Sequence, residues 1–384
     1  MLIVLFSLLV NFDFCLSNEN ILSVEYIRIM NSFSMGVILG EKHQKSYLEI
    51  DMSLDYLWVT PYIYNNEISS TRIMKTEYEL KFRNKEIQCQ MIRDQLILPN
   101  DNNNNIITKD FTFFLIPFEE VYETDSIGLG LKYDDKMGTN LVHVLKREKI
   151  IDKMTFAFVG ESRNYGHLYF GGIPKSVIQE KKLYHIAKAK VDESFNTWGF
   201  NLSHIIFTYK NQSNIIYINN EYSYINSKKA QVYVPMNFIS YFNQTIMKDY
   251  FEDGSCTYIP FESKYLFTCN ATVAENFPNI AFIVDNIKIE ISGKDLFDQS
   301  LNQFYFIFRI NEININQWMF GSDFLSEYIT QFDYENKEIT FYSDKPFVYL
   351  VEQSILTRKN ILITLIIIML IFSFLIGIPK KIYE

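Results

Sequence analysis

The chain has 384 residues, 48% hydrophobic and 16% aromatic, and a formal net charge of −9. That acidic balance argues against nucleic acid or a bare anionic membrane surface as a partner. Abundant Ile, Tyr and Phe suit β structure, whereas 14 glycines are few for a protein built on tight turns.

In chain order, Met1 to Ser17 is an apolar run closed by small and polar residues, which predicts a signal peptide over 1–17. Short alternating or apolar runs follow: 46–59, 110–118, 153–160, 167–173, 230–236, 279–284, 304–310 and 338–342. Their spacing predicts an all-β protein with few helices. Helical periodicity is confined to Asn140–Glu148, Phe238–Phe251 and Ser322–Glu327. Asp101 to Asn105 reads as a low-complexity loop, and 345–360 as a stalk. Ile361 to Ile378 carries no charge and is just long enough to span a bilayer as a helix, leaving 379–384 as a cytosolic tail. Together with the signal peptide, this predicts a single-pass type I membrane protein with its bulk extracellular or luminal, at the plasma membrane or an endomembrane.

Four cysteines are present, and Cys15 would leave with the signal peptide. Cys256 and Cys269 are expected to form a hairpin disulfide in an oxidising compartment, with Cys89 left as a small buried hydrophobe. Asn201, Asn211, Asn243 and Asn270 each open an N-x-S/T sequon and are candidate glycosylation sites. The five histidines (43, 143, 167, 185 and 204) lack metal-ligand spacing, so no metal or other cofactor is expected.

Six patches, in order, resemble the pepsin-like aspartic proteases. Ile50 to Val59 (IDMSLDYLWV) is similar to that family's first active-site strand, hydrophobic-DTGSxxLWV. Ser126-Ile127-Gly128 resembles the element crossing behind that loop, and Gly166 to Ile173 (GHLYFGGI) the strand leading out of the first lobe. Trp198-Gly199-Phe200 resembles the opening of the second lobe, Trp318 to Leu325 (WMFGSDFL) the family's WILGDxFL, and Phe332-Asp333-Tyr334 its VFD strand. The likeness runs from about Ser32 to Tyr342. It implies a bilobal all-β fold, with an N-terminal lobe over 18–190 and a C-terminal lobe over 191–344.

The resemblance also implies what the site has lost. The family uses two DTG triplets: paired aspartates share a proton and hold one water, the threonines brace the loops together, and the glycines admit close backbone approach. Here the first triplet reads Asp51-Met52-Ser53 and the second Asn226-Ser227-Lys228. Met52 has no bracing hydroxyl, and Asn226 cannot ionise or exchange a proton with the water. The flap tip YGTG becomes Phe82-Arg83-Asn84-Lys85, with the tyrosine hydroxyl gone and both glycines turned into long cations. The framework glycines 128, 171, 172 and 321 remain. Only about 34 residues separate Ser17 from Asp51, which leaves no room for an inhibitory prosegment.

The expectation is therefore a membrane-anchored, inactive homologue whose inter-lobe cleft binds a peptide or protein, with Lys228 near enough to Asp51 to form an ion pair. Two alternatives stay open. One is an atypical endopeptidase in which Asp51 works with Asp55 or with a deamidated Asn226. The other is a structural surface glycoprotein whose cleft is filled by its own side chains.

Overall fold

In the computed structural model, residues 20–344 are described apart from 30–31, 43–44, 66, 83–84, 100–104, 122, 133–138, 163, 196, 210–211, 262–263, 285–286, 301–302 and 311–315. The expected signal peptide, stalk, membrane helix and tail lie outside the described residues. Among those described, no helix is long and apolar enough to cross a membrane.

The first half of the chain forms β1 (Leu22–Ile29), β2 (Ser32–Leu39), β3 (Ser46–Asp51), β4 (Trp58–Val59), β5 (Met74–Phe82), β6 (Lys85–Leu98), β7 (Ile106–Leu115), β8 (Ser126–Gly128), β9 (Thr155–Ser162), β10 (Tyr165–Phe170) and β11 (Tyr184–Lys190). The second half adds β12 (Gly199–Tyr209), β13 (Gln212–Ile225), β14 (Tyr233–Val234), β15 (Cys256–Phe261), β16 (Lys264–Cys269), β17 (Asn279–Val284) and β18 (Ile287–Ile291). It ends with β19 (Phe297–Ser300), β20 (Gln303–Phe306), β21 (Arg309–Ile310), β22 (Trp318–Phe320), β23 (Ile329–Asp333) and β24 (Glu338–Ser343).

A 13-stranded sheet holds β1 to β11 in the order β11-β24-β23-β9-β10-β1-β2-β3-β8-β4-β7-β6-β5. Its strands β23 and β24 come from the far end of the chain and pair with β9 and β11. The remaining strands make a seven-stranded sheet, β18-β17-β12-β13-β22-β14-β21, and a four-stranded one, β15-β16-β20-β19. Each strand run read from the sequence falls on one or more of these strands.

Alternation places the apolar sides inward. Phe156, Phe158, Phe332, Trp198 and Tyr334 are fully or almost fully buried together, with the Phe156 and Phe332 rings stacked at 4.7 Å. This aromatic knot joins the two halves. Trp198 Nε1 donates to Leu129 O at 2.7 Å and Tyr334 Oη to Gly130 O at 3.0 Å, so second-half residues hold the strand that crosses behind Asp51. After β10 the chain turns through Gly171 and Gly172 at φ +94° and +122°, a region that side chains disfavour.

The helices are short. In α1 (Leu141–Arg147), Asn140 caps the first turn by accepting from Val142 N and His143 N, and Lys146 and Arg147 complement the negative C-terminal end. Next come α2 (Lys175–Glu180), α3 (Met236–Thr245), α4 (Lys248–Glu252), α5 (Ala271–Glu275) and α6 (Ser322–Glu327). The helical stretch read as continuous over Phe238–Phe251 is broken at Ile246–Met247, where Met247 is fully buried between α3 and α4.

Candidate functional site

Asp51 ends β3 and opens a loop that returns as β4. Strand β8 runs between the two, parallel to β3 (Glu49↔Ser126, Asp51↔Gly128) and antiparallel to β4 at Trp58↔Ser126. Gly128 N donates to Tyr56 O at 3.0 Å and Leu129 N to Asp51 O at 2.9 Å. A Cβ at position 128 would lie 2.5 Å from the carbonyl oxygens of both Leu54 and Tyr56, so only glycine lets the crossing strand fit. Asp51 is 1% exposed, and its Oδ1 accepts from Ser53 N at 2.8 Å and Ser53 Oγ at 2.5 Å. The side chain at position 53 thus ties down one carboxylate oxygen.

The second loop repeats this construction. It leaves β13 at Asn226 and returns as β14, while β22 runs parallel to β13 and antiparallel to β14. Asn226 N donates to Phe320 O at 2.9 Å, and Ser322 N to Lys229 O at 2.6 Å. Gly321 is the counterpart of Gly128: a Cβ there would lie 2.4 Å from the Lys229 and Gln231 oxygens. One bracing bond joins the loops, from fully buried Ser227 Oγ to Ile50 O at 2.5 Å. Met52 is buried in the main core and has nothing to donate in return.

Asn226 Oδ1 accepts from Lys228 N at 3.0 Å, and the Lys228 side chain reaches across to the first loop. Its Nζ lies 3.1 Å from Glu49 Oε2, 3.4 Å from Glu123 Oε2, 3.5 Å from Asp51 Oδ2 and 3.3 Å from Ser126 Oγ. The Lys228 side chain is only 14% exposed, against 18% for Glu49 and 32% for Glu123. Burial pulls the Lys228 pKa down, but the charges of Asp51, Glu49 and Glu123 outweigh it and hold the ammonium above its ordinary range. Burial likewise pushes Glu49 up, while hydrogen bonds from Ser32 and Thr124 and the nearby Lys228 charge win and hold it below the usual carboxylate value. Asp51 Oδ2 has no hydrogen-bond partner among the described residues, and Lys228 supplies a positive charge beside it.

Over the first loop lies the hairpin of β5 and β6, closed at Phe82↔Lys85. Arg83 and Asn84, expected at its tip, lie outside the described residues; Lys85 is exposed. Leu80, Phe82, Ile87 and Cys89 from the hairpin are buried in one cluster with Tyr56, Trp58, Phe114, Ile116 and Val121. Phe82 meets Trp58 edge-on, ring centroids 5.3 Å apart. Trp58 Nε1 is buried with no hydrogen-bond partner among the described residues. Burial raises the Cys89 thiol to about 11.

Away from the site, Cys256 and Cys269 form the expected disulfide across directly paired positions of β15 and β16. Of the sequons, Asn201 and Asn270 are exposed, and Asn270 caps α5 through its Oδ1, 2.9 Å from Val273 N. Asn243 is half-buried within α3, and Asn211 lies outside the described residues. The sequence reading missed Glu49, Glu123 and Ser126, and it missed that Ser227 keeps a brace. A signal existed for Glu49: two residues before Asp51 on a strand, it shares the aspartate's face. None existed for Glu123, which reaches the site from an irregular loop. A family model described as eukaryotic aspartyl protease matches residues 40–343.

Proposed function

The chain belongs to the eukaryotic aspartyl protease family, and from that premise we propose that it is a membrane-anchored, catalytically inactive member with a peptide- or protein-binding role. The observation that carries this is the pairing of Asp51 with an ammonium instead of a second carboxylate. Peptide hydrolysis by this family's chemistry needs two carboxyls that exchange one proton with a held water. Asn226 can neither give nor take that proton. Lys228 adds a fixed positive charge 3.5 Å from Asp51 Oδ2, where the chemistry calls for a shuttling proton. Losing one partner of such a coupled pair costs several powers of ten in rate.

The remaining architecture supports a binding role. Both loops, both crossing strands, one brace and the hairpin packed on Tyr56 and Trp58 are kept. The disulfide supports an oxidising compartment, and the uncharged run 361–378 supports an anchor that leaves the folded part extracellular or luminal, with Asn201 and Asn270 as its accessible glycosylation sites.

The test is turnover of a fluorogenic peptide by the full-length protein from pH 3 to 7, with and without pepstatin. No turnover by folded protein is expected. Pepstatin-sensitive turnover that disappears in Asp51→Ala would overturn the reading. The double variant Asn226→Asp, Lys228→Gly returns the carboxyl pair and should show turnover above the parent if the scaffold still aligns it.

One observation favours a second reading, a structural glycoprotein with a closed cleft. The inner face of the β5–β6 hairpin is sealed against Trp58 and Phe114 by its own side chains. Immobilised peptide libraries that retain no ligand, even with Phe82→Ala protein, would favour it over binding.

A further inference from the structure

The oxygens around Lys228 Nζ share an origin. Glu49, Asp51, Glu123 and Ser126 all belong to the first half of the chain, whereas the lysine reaches them from the second loop. The receptor is complete without its occupant. It is also pre-oriented: Ser32 Oγ holds Glu49 Oε1 at 2.6 Å, leaving Oε2 to face the ammonium, and Ser53 holds Asp51 Oδ1, leaving Oδ2 to do the same. An ion pair that only balances charge needs one carboxylate. Here three surround one ammonium, so the cluster keeps two net negative charges and an attraction for a further cation. Glu123, about one-third exposed, leaves that side open to solvent.

We propose that Glu49, Asp51, Glu123 and Ser126 form a receptor for the lysine side chain of a peptide ligand, and that Lys228 occupies it as an internal ligand until such a peptide displaces it. This inference rests on the peptide-binding reading above and names the chemistry of its ligand. It explains why the site opposes ionic crowding with a lysine at a position where the family has glycine: the flexible four-carbon arm covers the carboxylates in the free protein and can rotate away. The charges of Asp51, Glu49 and Glu123 hold its buried ammonium, in keeping with the raised Lys228 pKa.

The experiment compares the full-length protein with Lys228→Ala and, as a control, Lys248→Ala, an exposed lysine paired with Glu252 on the surface. Each is melted with n-butylammonium chloride or with sodium chloride at equal ionic strength. Only Lys228→Ala should gain thermal stability from n-butylammonium, because only it has an emptied receptor to fill. The same proteins are then titrated with two labelled peptides that differ by lysine against norleucine. Lys228→Ala should bind the lysine peptide about tenfold more tightly, and Glu123→Gln added to it should shrink that preference. If Lys228→Ala fails to fold alone, refolding in n-butylammonium supports the proposal and failure to refold there overturns it. A response no larger than that of Lys248→Ala, or equal binding of the two peptides, also overturns it. A response to n-butylammonium with no lysine preference would assign the receptor to free amines and overturn the peptide ligand. None of these readouts depends on turnover, so proteolysis by the wild type would sink the inactive reading separately.

Discussion

Ser227 and Met52 hold corresponding places in the two loops, yet only the Ser227 side chain can donate, and its hydroxyl braces the loops through Ile50 O. Ser227→Ala leaves a buried carbonyl unsatisfied and should cost about 1–3 kcal/mol in urea unfolding, more than a surface Ser→Ala change. The charged neighbours set a pH signature. Glu49 is held below 4.5, so its contribution is present above that value and is lost as pH falls through the lowered pKa. Lys228 is held above 10.5, so its contribution is full below 10.5 and is lost only as pH rises past that value. Asp125 acts in the opposite sense, its carboxyl raised by burial, and so costs stability at neutral pH. Glu49→Gln therefore isolates the first effect: its unfolding midpoint should fall less than the parent's between about pH 6 and pH 3.5. An equal fall in both proteins would show that Glu49 is not held as described. At this scale the sequence revealed chemistry through substitution, Asn for Asp and Lys for Gly. It concealed partners such as Glu123, because a loop residue's destination depends on the whole fold.

Strands were legible in two ways: by alternation where one face is buried, as in β3, and as short apolar runs where both faces are covered, as in β9 and β17. Strand β13, with its polar Asn219-Asn220-Glu221, carries no such imprint and is fixed by its long pairing with β12. The β5–β6 hairpin was read for its tip, but its character comes from its inner face. Removing Phe82 takes away the ring that meets Trp58. Phe82→Ala should cost about 3–5 kcal/mol unless the cluster collapses into the space. It should also expose Cys89, whose thiol at about 11 is roughly one part in a thousand thiolate at pH 8. Wild-type Cys89 should resist alkylation at that pH and the variant should react many times faster, as intact-mass spectrometry would show. Equal rates would mean that the hairpin does not seal the cluster.

For the molecule as a whole, the two-loop plan was legible through the family resemblance, and two of the glycines that resemblance retains, 128 and 321, sit where crossing strands leave no room for a Cβ. Less legible was that the last strands do not stay with their neighbours in sequence but return to the first half's sheet. Periodicity identifies strands and says nothing of distant pairing. Reducing Cys256–Cys269 reopens a short loop and should lower stability by about 3 kcal/mol, seen as a drop in the thermal midpoint with reductant that Cys256→Ser reproduces. A chain ending after Glu327 lacks β23 and β24, leaving β9 and β11 with open edges, and should sediment as larger aggregates than a chain ending after Asp344.

That return of the chain also sets a clock on its birth. Strand β9 is complete when Ser162 emerges from the ribosome, but its partner β23 begins at Ile329. At about 5–20 residues per second, β9 waits roughly ten to thirty seconds with one edge bare. Throughout that interval the nascent first half is a template without its final strand, and the chaperones it meets must shield one sheet edge until translation is nearly over.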